Sequence, residues 1–143
     1  MNISSRTRYG IRLLVDLAEN REKPHVSLAS IAARKKISLR YLEQVAVMLR
    51  RAGLIRSVKG ASGGYTLAKL PEDIIVGDAL RVLEGDMMVV DPLKVTGETK
   101  LRNCIHSALY DRLNKQIALV IDAKTLASLV NRPDSEDSYM YFI

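Results

Sequence analysis

The stretch Ser27-Leu28-Ala29-Ser30-Ile31-Ala32-Ala33-Arg34-Lys35-Lys36-Ile37-Ser38-Leu39-Arg40-Tyr41-Leu42-Glu43-Gln44 decides the fold, together with Leu49-Arg50-Arg51-Ala52-Gly53-Leu54 just beyond it. Ser27 is a good helix N-cap, because its hydroxyl can accept from a free N–H of the first turn. The helix it opens turns Leu28, Ile31 and Ala32 inward before the basic run Arg34-Lys35-Lys36. Ser38 is another N-cap a few residues on, so the connection between the two helices is tight, as in a helix-turn-helix. The second helix spans about residues 39–52 and stops at Gly53, a natural residue just past a helix end. Its inward stripe is Leu39, Leu42, Val45 or Ala46, Leu49 and Ala52. Its opposite face shows Arg40, Glu43, Gln44, Val47 and Arg51, with Tyr41 and Arg50 on the flanks.

That polar set has the chemistry to read a major groove. Arg can fork onto guanine, Gln can pair with adenine, and Glu can accept from a cytosine amine. An ordinary amphipathic surface helix also carries polar residues outside, so the helix alone does not decide. Residues 54–68 do. Leu54-Ile55-Arg56-Ser57-Val58 and Tyr65-Thr66-Leu67-Ala68 are β-prone runs around the glycine-rich turn Lys59-Gly60-Ala61-Ser62-Gly63-Gly64. Helix, turn, helix and a basic-tipped hairpin describe a winged helix-turn-helix. Arg56 and Lys59 of the wing can reach phosphates or an adjacent minor groove. A nucleotide-cradling loop is the rival, but no Gly-Lys-Ser/Thr comes after the glycines and the loop leads into a strand. Before this unit, residues 5–20 place Tyr9, Leu13, Leu14, Leu17 and Ala18 at helical spacing, with Arg6, Arg8, Arg12, Asp16 and Glu19 between them.

Charge is divided in the same way. The 143 residues carry a formal net charge of +6. Residues 1–70 hold fourteen basic against four acidic side chains, a net of +10, and residues 71–143 eight against twelve, a net of −4. A basic half on an acidic half is the footprint of a polyanion-binding module carried by a different body. No apolar run approaches the roughly 18 residues of a spanning helix, and no secretory segment opens the chain. The one Cys cannot form an internal disulfide or a thiolate metal site alone. A soluble cytoplasmic protein with no membrane contact is expected. Two His, one Cys and no nucleophile–base motif give no catalytic residues, and no enzyme is expected.

In the second half, residues 76–84 form a short helix ending at Gly85, and residues 86–99, with Pro92 and Gly97, form a connection. A long helix runs over about residues 99–121, with Leu101, Ile105, Leu109, Leu113, Ile117 and Ile121 stepping by four. Its apolar surface is too broad for a helix standing alone and calls for a partner. Asp122 can cap one more short helix through Leu126, Leu129 and Val130. Cys104 lies beside Ile105 and is expected as a packed thiol. Neither His25 nor His106 is assigned to a metal.

Ile3 with Arg8-Tyr9-Gly10-Ile11, the runs Ile37–Gln44 and Leu49–Leu54, Lys59-Gly60-Ala61-Ser62-Gly63-Gly64-Tyr65, and Val76-Gly77-Asp78-Ala79-Leu80 through Val82-Leu83-Glu84-Gly85 together resemble the Rrf-two family of bacterial transcription regulators. The resemblance implies a mainly α protein with a small β-hairpin wing, acting as a homodimeric repressor on a palindromic operator in double-stranded DNA. It implies that Ser38, Arg40, Tyr41, Glu43 and Gln44 lie in or beside the major groove, and that Arg50, Ser57, Lys59 and Gly60 serve the backbone and the wing. Arg8 and Tyr9 would position phosphates, with a core role equally open for Tyr9. Leu101, Ile105, Leu109, Leu113, Ile117 and Ile121 would form the dimer interface. The domain organisation is then residues 1–70 for DNA binding, 71–98 a short helix and connection, 99–131 dimerisation helices, and 132–143 an acidic then apolar tail.

Sensing members of the family hold an iron–sulfur cluster on three cysteines between the short helix and the dimer helix. Cys104 is the sole cysteine here, so no cofactor and no metal are expected, and the resemblance is to the cluster-free, CymR-like branch. A redox- or iron–sulfur-responsive regulator of the same family is the alternative. The ending Ser138-Tyr139-Met140-Tyr141-Phe142-Ile143, after acidic Asp134-Ser135-Glu136-Asp137, resembles that branch too. The resemblance implies control of cysteine metabolism with cysteine synthase (O-acetylserine sulfhydrylase) as partner, Tyr141, Phe142 and Ile143 entering its cleft. Docking of the tail on its own dimer is the other reading.

Overall fold

The computed structural model describes residues 2–60, 63–92 and 99–130. Helix α1 is Ser5–Glu19, α2 is Leu28–Lys35 and α3 is Leu39–Arg51. The strands β1 (Ile55–Val58) and β2 (Gly64–Leu67) pair antiparallel, Ile55 opposite Leu67 and Ser57 opposite Tyr65. A single turn of 3-10 helix at Pro71–Asp73 leads to α4, Val76–Glu84. The far helix consists of α5 (Lys100–Ile105), a π segment (His106–Tyr110) and α6 (Asp111–Asp122), and α7 is Leu126–Val130. The fold is mainly helical with a hairpin wing, as expected.

Local chemistry explains the boundaries. Ser4, Ser27 and Thr99 each accept from the N–H three residues on, which satisfies a donor that the first turn cannot. Ser38 stands at the N-cap of α3 but makes no side-chain cap bond, which leaves its hydroxyl uncommitted. Gly53, at φ +77°, takes the left-handed conformation that ends α3 at no steric cost. Lys36 adopts the same region (φ 53°) in the turn between α2 and α3, without glycine's freedom.

One hydrophobic core is built around α1, which packs on α3, α4 and α7. Leu13, Leu14, Leu17, Ile31, Leu42, Val45, Leu49 and Ile55 are buried in it, and so are Ile74, Leu83 and Leu126 from the second half. Each such side chain contributes roughly 1.5–3 kcal/mol by leaving water. Main-chain bonds tie the halves together: Leu126 N–H donates to Ile74 O at 2.8 Å and Val76 N–H to Lys124 O at 2.9 Å.

Several expectations require correction. On α3 both Val45 and Ala46 are buried, but Leu39 and Ala52 are exposed. They sit about 70° off the centre of the buried stripe at 100° per residue, one at each end of the helix. Asp16, expected among the outer polar residues of α1, is fully buried. Cys104 is exposed rather than packed, and His106 is the buried residue of that turn. Asp122 caps nothing. It ends α6 and binds Arg81 of α4 through two hydrogen bonds at 2.8 and 2.9 Å, while Thr125 accepts from Ser128 N–H at the start of α7. The long helix is also not regular. A stripe stepping by four outruns the 3.6-residue turn, and the π segment, with its wider i→i+5 bonding, absorbs part of that drift.

Candidate nucleic-acid interface

Helix α3 is held by its buried stripe, so the residues on its other side are presented in fixed order. Ser38, Arg40, Tyr41, Glu43 and Gln44 are all exposed and gathered in its N-terminal half, with Arg50 and Arg51 exposed at its far end. Tyr41 packs edge-on against Tyr9 of α1, with ring centroids 5.5 Å apart, and the Arg12 guanidinium stands 5.9 Å from the centre of the Tyr9 ring. Tyr9 is therefore half-buried and shared between the core and this surface. Arg8, one residue earlier, is exposed and donates to Ser5 Oγ at 3.1 Å. Arg8 and Arg12, four apart, lie on one face of α1 beside the start of α3. Arg12 was read in the sequence only as an outer residue of α1 and not as part of the DNA-binding set, although its i,i+4 spacing from Arg8 was the available signal.

The wing is anchored by an extra rung. Val26, just before α2, exchanges two hydrogen bonds of 2.8 Å with Tyr65, so the segment entering α2 acts as a third strand beside β2. Gly64 is required there, because a Cβ would stand 2.4 Å from Val26 O. Ser57, Lys59 and Gly60 are exposed on the hairpin, and Arg56 is exposed opposite Thr66. The turn residues Ala61 and Ser62 lie outside the described residues. Between wing and α2 a cleft of about 330 Å³ is lined by Lys23, His25, Ser27, Ser30, Arg34 and Gly63. Lys23 was not singled out in the sequence, and His25 was weighed there only as a metal ligand; nothing but proximity to Pro24 marks them for this cleft.

Few of the acidic groups offset this charge. Asp16 is taken by Arg34 (2.7 Å) and Glu19 by Lys35 (3.3 Å), and these are the ion pairs formed among the described residues of the first seventy. The Asp16 hydrogen bond raises the Arg34 guanidinium above its usual value. Two residues of the basic run Arg34-Lys35-Lys36 are therefore spent on fastening α2 to α1. The remaining basic residues of the first seventy are exposed, among them Arg40, Arg50 and Arg51 on α3 and Arg56 and Lys59 on the wing.

On the far helix Leu101, Ile105, Leu109 and Leu113 are exposed, with Ile117 and Ile121 half-buried. Asn114 clamps the connection to it, accepting from Val89 N–H at 2.7 Å and donating to Val90 O at 2.8 Å. Glu98 and the tail, with Tyr141, Phe142 and Ile143, lie outside the described residues. Among the described residues no helix is long and apolar enough to cross a membrane.

A family model described as "Iron-dependent Transcriptional regulator" (Rrf2) matches residues 3–132. The transcriptional regulator CymR of Bacillus subtilis is 38% identical over 144 residues, 100% of both chains. IscR of Klebsiella pneumoniae is 34% identical over 140 residues, covering 96% of this chain and 84% of that one. The solved structure of CymR, the global cysteine regulator of B. subtilis, matches with a TM-score of 0.79 at 36% identity, over 94% of this chain and 99% of that one. The family description implies iron, and the donor set here does not fit an iron–sulfur cluster. The chain has one Cys, and among the described residues no three His, Cys, Asp or Glu come together as a metal site. A cluster takes several thiolates. The helix-turn-helix, its wing and the agreement with these regulators along nearly the full length place one conclusion beyond the fold: this chain belongs to the Rrf2 family of transcriptional regulators.

Proposed function

We propose that the chain is a homodimeric repressor of a palindromic operator, with residues 1–70 binding DNA, 71–98 connecting, 99–131 forming the dimer and 132–143 serving a partner. The observation that carries this is the exposed polar half of α3, held on a buried stripe, with Tyr9 of α1 packed against its Tyr41 and Lys59 exposed on the wing. Arg40, Glu43 and Gln44 contact base edges, with Ser38 and Tyr41 beside them. Arg8, Tyr9, Arg50, Ser57, Lys59 and Gly60 hold the backbone. The exposed Leu101, Ile105, Leu109 and Leu113, with Ile117 and Ile121, meet their copies across a two-fold axis, which matches two half-sites.

The regulated process is cysteine metabolism. Likeness to CymR over the whole chain and the single cysteine support that reading. Tyr141, Phe142 and Ile143 enter the active-site cleft of cysteine synthase, the terminal carboxylate standing in for that of an amino acid. Likeness to IscR favours the second reading, a redox- or iron–sulfur-responsive regulator of the same family, against which the single Cys counts.

Fluorescence anisotropy on a palindrome selected from random sequence tests the first part. Arg40→Ala is expected to lose about tenfold or more and to relax sequence preference, whereas Lys59→Ala lowers the salt slope by about one without changing preference. Binding unaffected by either change removes the assignment. A pull-down of purified cysteine synthase, with and without residues 141–143, tests the second. Visible absorbance with bound iron in anaerobically purified protein would favour the IscR-like reading instead.

A further inference from the structure

A groove of about 340 Å³ lies at the root of the wing. Its wall includes Arg21 just after α1, Arg56 of β1, Thr66 of β2, and Lys69, Leu70 and Pro71 from the segment that leaves the hairpin. Arg56 and Thr66 are opposite each other in the hairpin, and the next pair, Ile55 with Leu67, packs into the core. Side chains alternate along a strand, so Arg56 and Thr66 stand on the face turned away from that core. The three cations of the groove are exposed, and among the described residues none of them takes an ion pair or a side-chain hydrogen bond. The wall holds no carboxylate, since Glu22, Glu72 and Asp73, next along the chain, stand outside it. Three cations gathered in one groove without a counter-charge raise the local positive potential and favour an acidic partner.

The chain itself supplies one. Residues 131–143 lie outside the described residues, and they carry Asp134, Glu136 and Asp137. Helix α7, the element just before them, packs against the turn Pro71–Asp73, and Pro71 is also part of the groove wall. Five residues of helix are about 7 Å long, so Val130 at the end of α7 stays near that turn. From Val130 an extended chain reaches up to about 14 Å to Asp134 and about 25 Å to Asp137. We propose that the acidic stretch Asp134–Asp137 of the same chain docks in this groove, its three carboxylates meeting Arg21, Arg56 and Lys69. Leu70, 65% exposed at the rim, offers an apolar contact to Tyr139 or Met140 that come after the acids. Exposed ion pairs are weak singly, but a short tether supplies a high effective concentration. Docking at 134–137 leaves Tyr141, Phe142 and Ile143 beyond the groove, so the partner role given to them above is compatible with it and is not required by it.

The test is amide NMR of the full ¹⁵N-labelled chain without DNA, with a nitroxide attached through Ser138→Cys in a Cys104→Ser background. Selective broadening of the Arg21 amide and of the amides of residues 66–70 is expected. Neutralising the acids with Asp134→Asn, Glu136→Gln and Asp137→Asn, changes that leave the described fold untouched, is expected to remove most of it. Salt at about 1 M, where charges act over only ~3 Å, is expected to do the same. Arg21→Glu with Lys69→Glu, both exposed, also removes the broadening, and adding Asp134→Lys, Glu136→Lys and Asp137→Lys restores it. Broadening that survives salt or neutralisation, or that does not return in the doubly reversed protein, overturns the proposal. Broadening of isotope-labelled chains without a nitroxide, mixed with nitroxide-bearing unlabelled ones, would place a second copy's tail in the groove and overturn it equally. Operator binding is measured apart, on protein lacking residues 132–143, so failure of the DNA reading is distinguishable. Broadening insensitive to the acids, together with a salt slope lowered by about one or more in Arg21→Glu with Lys69→Glu, would assign the groove to DNA phosphates instead.

Discussion

Arg34 gives two hydrogen bonds to Asp16, at 2.7 and 3.0 Å, and the partners differ in exposure: the Asp16 side chain is 1% exposed and that of Arg34 is 40%. The asymmetry decides what truncation does. Arg34→Ala leaves a buried carboxylate with Asn20 Nδ2 as its remaining side-chain partner, at 3.2 Å, and is expected to cost about 2–4 kcal/mol. Asp16→Ala removes the buried charge and releases Arg34 to water, for about 1–2 kcal/mol. Urea unfolding of the two variants checks the order; equal losses would contradict it. Glu84 carries a second residue-scale prediction. Its Oε2 accepts from Thr7 Oγ1 and from Ser4 Oγ and N–H, which holds the carboxyl below its ordinary range. Arg81 does the same to Asp122. A carboxyl that is more acidic folded than unfolded binds fewer protons when folded. Its stabilisation is present above the unfolded value, about 4.3 for Glu, and is lost as pH falls through the folded value. Glu84→Gln is expected to flatten that acid limb in melts at stepped pH, and an unchanged limb would count against the assignment.

The wing shows how an element depends on one atom's absence. β1 and β2 alone are a hairpin of two four-residue strands, a size that is marginal in water. The Val26–Tyr65 rung adds a third edge and ties the hairpin to the start of α2. Gly64→Ala forces a Cβ into Val26 O and is expected to open that rung. The loss is roughly 1–3 kcal/mol, in the range of other strained backbone substitutions. Hydrogen exchange of the Tyr65 amide, which donates to Val26 O, should accelerate while the amides of α3 keep their protection. Helix α3 was the more readable element. Its boundaries, its glycine stop and its central stripe are local features; Leu39 and Ala52 at its edges departed from the stripe, and Ser38 stands at the N-cap without making the cap bond.

At the scale of the molecule, the charge boundary near residue 70 is not a packing boundary. Ile74, Ala79, Leu83 and Leu126 share one core with α1 and α3, and α6 packs on α4 of that core, so the far helix and α3 are attached to a common body. A change in how two far helices meet would therefore alter the spacing of two α3 helices directly, through α4 and its Arg81–Asp122 fastening. The exposed stripe on the far helix makes a testable demand. Leu109→Glu with Leu113→Glu is expected to yield a monomer by light scattering, with wild-type circular dichroism and operator affinity reduced by about a hundredfold or more, since one half-site is lost. A double variant that remains dimeric would place the interface elsewhere.

By itself the sequence determined the helices, the turn, the wing and the basic surface, because N-caps, glycine stops, hydrophobic period and net charge act over a few residues. The partners of groups far apart in sequence were decided by tertiary structure. Asp122 reads as a cap from its neighbours, yet it binds Arg81, 41 residues away. Asp16 reads as solvated until α2 brings Arg34 over it. Cys104, expected as a packed thiol, is exposed, and His106, about 200° away around the helix, is the buried residue of that turn. Apolar residues lie on both sides of that turn, so the periodicity alone does not choose its phase. The tertiary structure chooses it, turning His106 inward and leaving Cys104 in solvent.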